Sequence, residues 1–94
     1  RLILIKIYIL DMNNLIKKLQ YRSNHRGTKE MDLLIGGFAT ENLKKMTLEE
    51  LKEFEILLNF TDKELSSWLV DNKKNNDLEN FSISNKIKEF KLKF

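Results

Sequence analysis

The sequence predicts an all-α protein, a small bundle of five helices, and three observations predict it. The 94 residues contain no proline and only three glycines, so few positions interrupt helical backbone. Apolar residues recur at three- and four-residue intervals, the spacing of one helix face, where a strand would alternate. Twice a Thr-x-x-Glu sequence stands at the head of such a stripe: Thr47-Leu48-Glu49-Glu50 and Thr61-Asp62-Lys63-Glu64. In that pattern the threonine side chain and the glutamate carboxylate each satisfy a backbone N–H at a helix start.

Taken in order, residues 1–11 differ from the rest. Arg-Leu-Ile-Leu-Ile-Lys-Ile-Tyr-Ile-Leu-Asp is apolar and rich in β-branched residues. It is too short for a transmembrane helix, which needs about 20 apolar residues, and it carries no small-residue cleavage site. It reads as an extension outside a single helical domain of residues 12–94, with Met12 as the expected natural start. Leu15, Ile16 and Leu19 stripe a first helix from Met12 to Ser23. Met31, Leu34, Ile35 and Phe38 stripe a second, running to about Glu41. Gly36-Gly37 lies inside it and implies either close helix packing or a local bend. Leu48, Leu51, Phe54 and Leu58 define the third helix; Leu65, Trp68 and Leu69 define the fourth. Asn72 to Asn80 reads as a polar linker, and Ile83, Ile87, Phe90 and Phe94 stripe a final helix.

Composition excludes several chemistries. No cysteine is present, which removes disulfides, thiolate metal sites and cysteine nucleophiles. The single histidine, His25, cannot build a multi-histidine metal site. The net charge of +3 is unevenly spread. Residues 1–29 hold seven bases and one acid, residues 30–71 four bases and ten acids, and residues 72–94 six bases and three acids. Basic ends around an acidic middle do not form the continuous basic face of a nucleic-acid binder. The acidic run Glu49, Glu50, Glu53 and Glu55 does not converge on one helix face, so it reads as a solvated surface rather than a metal site. Trp68, spaced with Leu65 and Leu69, reads as core. Gly36-Gly37 lacks the spacing and the preceding strand of a phosphate-binding loop. No catalytic constellation is present, and the chain does not read as an enzyme.

The most informative segment is Tyr21-Arg22-Ser23-Asn24-His25-Arg26-Gly27-Thr28-Lys29-Glu30-Met31-Asp32, a basic polar turn entering an apolar helix. Arg26, Gly27 and Glu30 form R-G-x-x-E. Glycine permits a tight turn or a close approach. Glu30 falls in the first helical turn, where a carboxylate is favoured and can reach back to a free N–H. Arg26 is expected to point out of the turn, a planar cation able to grip a carboxylate or phosphate. Taken alone, the motif reads equally well as an ordinary interhelical turn, and His25 as a surface histidine.

The segment from Arg22 to Ile35 resembles the signature of the succinate dehydrogenase flavinylation factors, small assembly proteins of bacteria and mitochondria. The likeness continues through Phe38-Ala39, Leu43, Met46-Thr47, Leu51, Phe54-Glu55, Leu57-Leu58 and Asp62-Lys63-Glu64-Leu65-x-x-Trp68-Leu69, covering roughly Leu15 to Val70. The resemblance implies a five-helix bundle that acts as a chaperone-like assembly factor. Its implied partner is the flavoprotein subunit of succinate dehydrogenase, and in bacteria often that of fumarate reductase. It implies promotion of covalent FAD attachment to a client histidine, with no cofactor of its own; attack on the flavin 8α-methyl belongs to the client's site. The family's interaction motif falls on Arg26, Gly27 and Glu30, with Arg22, His25 and Asp32 beside it as further partner-binding residues.

Two positions depart from the family pattern. His25 stands where many relatives have a second arginine, and Gly37 where many have a large residue. The expected roles are close approach at Gly27, pairing of Arg26 with a client carboxylate or carbonyl, and Glu30 either ordering the turn or meeting a client cation. A monomer is expected, in the bacterial cytoplasm or the mitochondrial matrix, without membrane insertion; residues 1–11 could instead pair between chains. The competing readings are a basic-ended helical module binding nucleic acid or another protein, and a small FAD-binding protein.

Overall fold

A computed structural model describes residues 2–93. Among them every regular element is helical: α1 (Leu2–Asn24), α2 (residues 29–45), α3 (Leu48–Leu57), α4 (Asp62–Leu69), α5 (Asn76–Glu79) and α6 (Ser84–Lys91). Five of these are the long helices of the expected bundle, and α5 is a short addition.

The core gathers from all six helices. Leu19 of α1, Met31, Ile35, Phe38 and Leu43 of α2, Leu51, Phe54 and Leu57 of α3, Leu65 and Trp68 of α4, Leu78 of α5 and Ile87 of α6 are all buried. Phe38 stands at the centre, with the Phe54 and Phe90 rings 5.7 and 6.0 Å from its own. Phe94, placed on the final stripe by its spacing, lies outside the described residues, as does Arg1.

Helix α2 is continuous but irregular. It opens as α-helix (Lys29–Met31), widens to a π-helical turn (Asp32–Gly36), returns to α-helix (Gly37–Asn42) and tightens to 3-10 geometry (Leu43–Lys45). Of the two expected causes, close packing is observed, at Gly36 only. Gly36 is buried against the end of α1, where a Cβ would stand 2.3 Å from Asn24 Oδ1 and 3.2 Å from the Ser23 carbonyl. Its own carbonyl also accepts the Thr40 hydroxyl at 3.0 Å.

Both capping boxes form. Thr47 Oγ1 accepts the Glu50 N–H at 3.2 Å and Glu50 returns a carboxylate to the Thr47 N–H at 2.9 Å. Thr61 and Glu64 repeat the arrangement at 3.1 Å in each direction. Each threonine cap contributes about 1 kcal/mol. The Thr47 N–H, and then Lys86, hold the Glu50 carboxyl below the usual carboxylate range. These two caps fix where α3 and α4 begin, and so set the loop between them.

Two segments differ from the sequence reading. Residues 2–11 are helical and run through Met12 into α1 without a break. Their apolar side chains are exposed, and Met12 is the first residue of the helix packed against the core. The stretch read as a polar linker contains α5. Asn75 caps it by accepting the Leu78 N–H at 3.1 Å, and Leu78 enters the core. Asn72 adopts φ of 56° just after α4, a left-handed helix ending that asparagine tolerates.

Candidate functional site

The turn of residues 25–28 joins α1 to α2, and its shape is set from across the molecule. Arg26 does not point outward. Its side chain is only 10% exposed and folds into the loop between α3 and α4. There Nε donates to Asp62 Oδ1 at 2.8 Å, Nη1 to the Leu58 carbonyl at 2.9 Å and Nη2 to the Phe60 carbonyl at 2.8 Å. The guanidinium thus satisfies carbonyls left over at the end of α3, where the helix dipole favours a cation. This corrects the expectation of an outward arginine. Local pattern leaves a turn arginine free, but here three acceptors lie within reach of its planar fork.

Asp62 organises the same corner. One carboxylate oxygen takes the Arg26 guanidinium and the other takes the Gly27 N–H. Gly27 is needed for that approach: a Cβ there would stand 2.7 Å from Asp62 Oδ2. Its φ is not in the left-handed region, so the requirement is space rather than backbone conformation. The close approach that Gly27 permits is therefore, within this chain, the approach of Asp62.

Glu30 is exposed, and no hydrogen bond or ion pair reaches it among the described residues. The helix-start work expected of it is done by neighbours. Thr28 caps α2 by accepting the Met31 N–H at 3.2 Å, and Asp32 accepts the Arg26 N–H from the next turn. Of the two roles open to Glu30, ordering the turn is taken by Thr28 and Asp32. Asp32 is half-buried and serves the turn. Arg22 reaches the same loop, with Nη2 2.8 Å from Asn59 Oδ1. His25 stays exposed, its Nδ1 2.7 Å from the Tyr21 carbonyl and its ring stacked on Tyr21 at 3.9 Å.

The six residues singled out in the sequence therefore fall into two groups. Arg22, Arg26 and Asp32 brace the turn from inside, whereas His25, Gly27 and Glu30 face solvent. Asp62 and Asn59 were missed, because Asp62 has a complete local reading as a first-turn acid of α4. Among the described residues no group of acids and histidine is arranged to hold a metal ion. What the corner offers is a braced surface carrying one uncompensated carboxylate, suited to recognition.

The family described as "Flavinator of succinate dehydrogenase" matches residues 17–91. The chain is 51% identical over 53 residues to the FAD assembly factor SdhE of Acetobacter pasteurianus, covering 56% of this chain and 49% of that protein. It is 40% identical over 62 residues to succinate dehydrogenase assembly factor 2, mitochondrial, of Dictyostelium discoideum, covering 66% and 44%. The protein of the same name from Caenorhabditis briggsae is 42% identical over 76 residues, covering 78% and 62%. The chain spans about half the length of the first two of these relatives. All three are named as assembly factors, not as enzymes, and among the described residues no helix is long and apolar enough to cross a membrane.

Proposed function

The chain belongs to the family of flavinators of succinate dehydrogenase, and from that premise we propose that it is an assembly factor for the flavoprotein subunit of that enzyme. It binds the subunit and promotes covalent attachment of FAD, and the related fumarate reductase subunit is a second client. The bond between histidine and flavin forms in the client's own site, so this protein needs no cofactor. It works as a monomer in the compartment where the client matures, bacterial cytoplasm or mitochondrial matrix.

The observation that carries this reading is the exposed Glu30 carboxylate, unpaired among the described residues as its neighbour Lys29 is, at the end of a turn whose arginine is compensated internally. Arg26 is neutralised by Asp62, and the Arg26 N–H is held by Asp32. A turn braced in this way is ordered before the client arrives, so little ordering entropy is lost on binding. Glu30 then meets a client cation while the Gly27 backbone lies against the client surface. Holding the client in the conformation that aligns histidine with flavin accelerates the attachment by orientation. Tighter binding to that conformation than to others produces the same result. No feature of the site favours nucleic-acid binding.

Titration of the flavoprotein subunit with wild-type protein and with Glu30→Lys tests this assignment. The substitution places a cation where a cation is expected on the client. Binding should weaken at least ten-fold while the melting temperature falls by only a few degrees, since no hydrogen bond or ion pair reaches Glu30 among the described residues and only its favourable place in the first helical turn is lost. Equal affinity for the two proteins would remove Glu30 from the interface.

A further inference from the structure

Beside the turn, along the face between α1 and α2, lie two cavities of about 700 and 500 Å³. They share Ile16, Lys17 and Lys44, so they form one open groove that follows α1 from Leu10 to His25. At 1.5 Å per helical residue the groove is roughly 22 Å long. That length accommodates an extended peptide of about six or seven residues.

Its chemistry is lopsided. Leu10, Ile16 and Tyr21 line it with accessible apolar surface above the buried Ala39 and Leu43, and Lys17 and Lys44 stand at the junction of the two cavities. Neither lysine has an ion pair or hydrogen bond among the described residues. No carboxylate lines either cavity, although the chain carries fourteen. Three acids of the chain are engaged by other lysines, Glu41 by Lys93, Glu50 by Lys86 and Glu55 by Lys18, and Asp11, beside Leu10 on α1, does not line the groove. Asn24 and His25 line the end of the groove, so it finishes at the residues that lead into the motif turn.

We propose that this groove takes up an acidic, apolar-containing segment of the flavoprotein client, a second contact continuous with the motif turn. The inference rests on the assignment above for the identity of the client. Two free ammonium groups over an apolar floor match a peptide that alternates carboxylate and apolar side chains. A nucleic acid would instead require phosphate-binding charge along the whole groove. Charge complementarity here speeds encounter and sets the register in which the client meets the turn.

Zero-length carbodiimide coupling, which joins a lysine amine to a carboxylate in contact with it, tests the proposal on the full-length complex with the flavoprotein subunit. Mass spectrometry should find Lys17 or Lys44 joined to an aspartate or glutamate of the client. In parallel, the Lys17→Glu/Lys44→Glu double variant should bind the subunit at least ten-fold more weakly and with a shallower dependence on salt, whereas Lys17→Arg/Lys44→Arg should retain binding. Its melting temperature should match wild type, because both lysines are exposed and unpaired. Undiminished binding by the glutamate variant overturns the proposal. So does an absence of cross-links at both lysines, or cross-links only to acids of a second copy of this chain. If wild type binds and Glu30→Lys weakens binding while the lysine variants do not, the groove proposal alone fails. If wild type does not bind the subunit, the assembly-factor assignment falls with it.

Discussion

Gly27→Leu is expected to leave a folded protein that no longer promotes covalent flavin attachment to the client. Any Cβ at this position would lie 2.7 Å from Asp62 Oδ2, well inside contact distance. The carboxylate must then turn away, and the Gly27 N–H and the Arg26 guanidinium both lose an acceptor. The damage is confined to the turn, because Gly27 is exposed and the core residues around Phe38 are not involved. A stability loss of about 1–3 kcal/mol follows from the forced shift. The functional loss should be far larger. The turn is displaced and a branched side chain covers the backbone that the client must approach. Circular dichroism and thermal unfolding report the fold, and covalent flavin yield reports the activity. Full activity with a retained fold would show that Gly27 is a spacer of no consequence.

Arg26→Ala is expected to produce the largest loss of stability of any single charged-residue substitution in the chain. The side chain is 10% exposed and that of Asp62 is 19% exposed, so solvent screens their interaction only in part. Removing the guanidinium strands the Asp62 carboxylate and leaves the Leu58 and Phe60 carbonyls without their donors. Breaking a buried pair from one side costs about 3–5 kcal/mol, and the residual exposure here places the expected loss near the lower figure. In a domain of this size that lowers the melting temperature by more than about 10 °C. Asp62→Ala should cost less, because Arg26 keeps two carbonyl acceptors. A double-mutant cycle should return a coupling of about 1–3 kcal/mol. Arg26→Lys should not restore stability, since an ammonium cannot meet three acceptors with the geometry of a planar fork. An unchanged melting temperature in Arg26→Ala, with client binding lost, would mean that the guanidinium faces the client and not the α3–α4 loop.

The contrast between these two residues shows which parts of the structure were legible in the sequence. Helix starts at Leu48 and Asp62 were readable because a capping box is written in four consecutive residues. The core face of α2 was readable from Met31, Leu34, Ile35 and Phe38, since the spacing survives one widened turn. The direction of Arg26 was not readable. It depends on an aspartate and two carbonyls more than thirty positions away, brought near only when α3 and α4 pack beside the turn. Helix α5 escaped notice because one buried leucine in four residues makes no periodicity. The apolar lead reads as strand-like by composition, yet its backbone simply extends the helix that follows.

The role of the motif changes accordingly. R-G-x-x-E is not three client contacts in a row. Its arginine and glycine build the corner with Asp62, and its glutamate is the charge the corner presents. Substitutions at the first two positions should therefore move stability and activity together, and a substitution at Glu30 should move activity with little change in stability.

The most direct test of the central claim is covalent flavin fluorescence of the succinate dehydrogenase flavoprotein subunit on a denaturing gel, after production with and without this protein. A strong rise with wild type, absent with Glu30→Lys at equal protein level, is the predicted result. Equal fluorescence with and without the protein, the client being folded and FAD supplied, would contradict it.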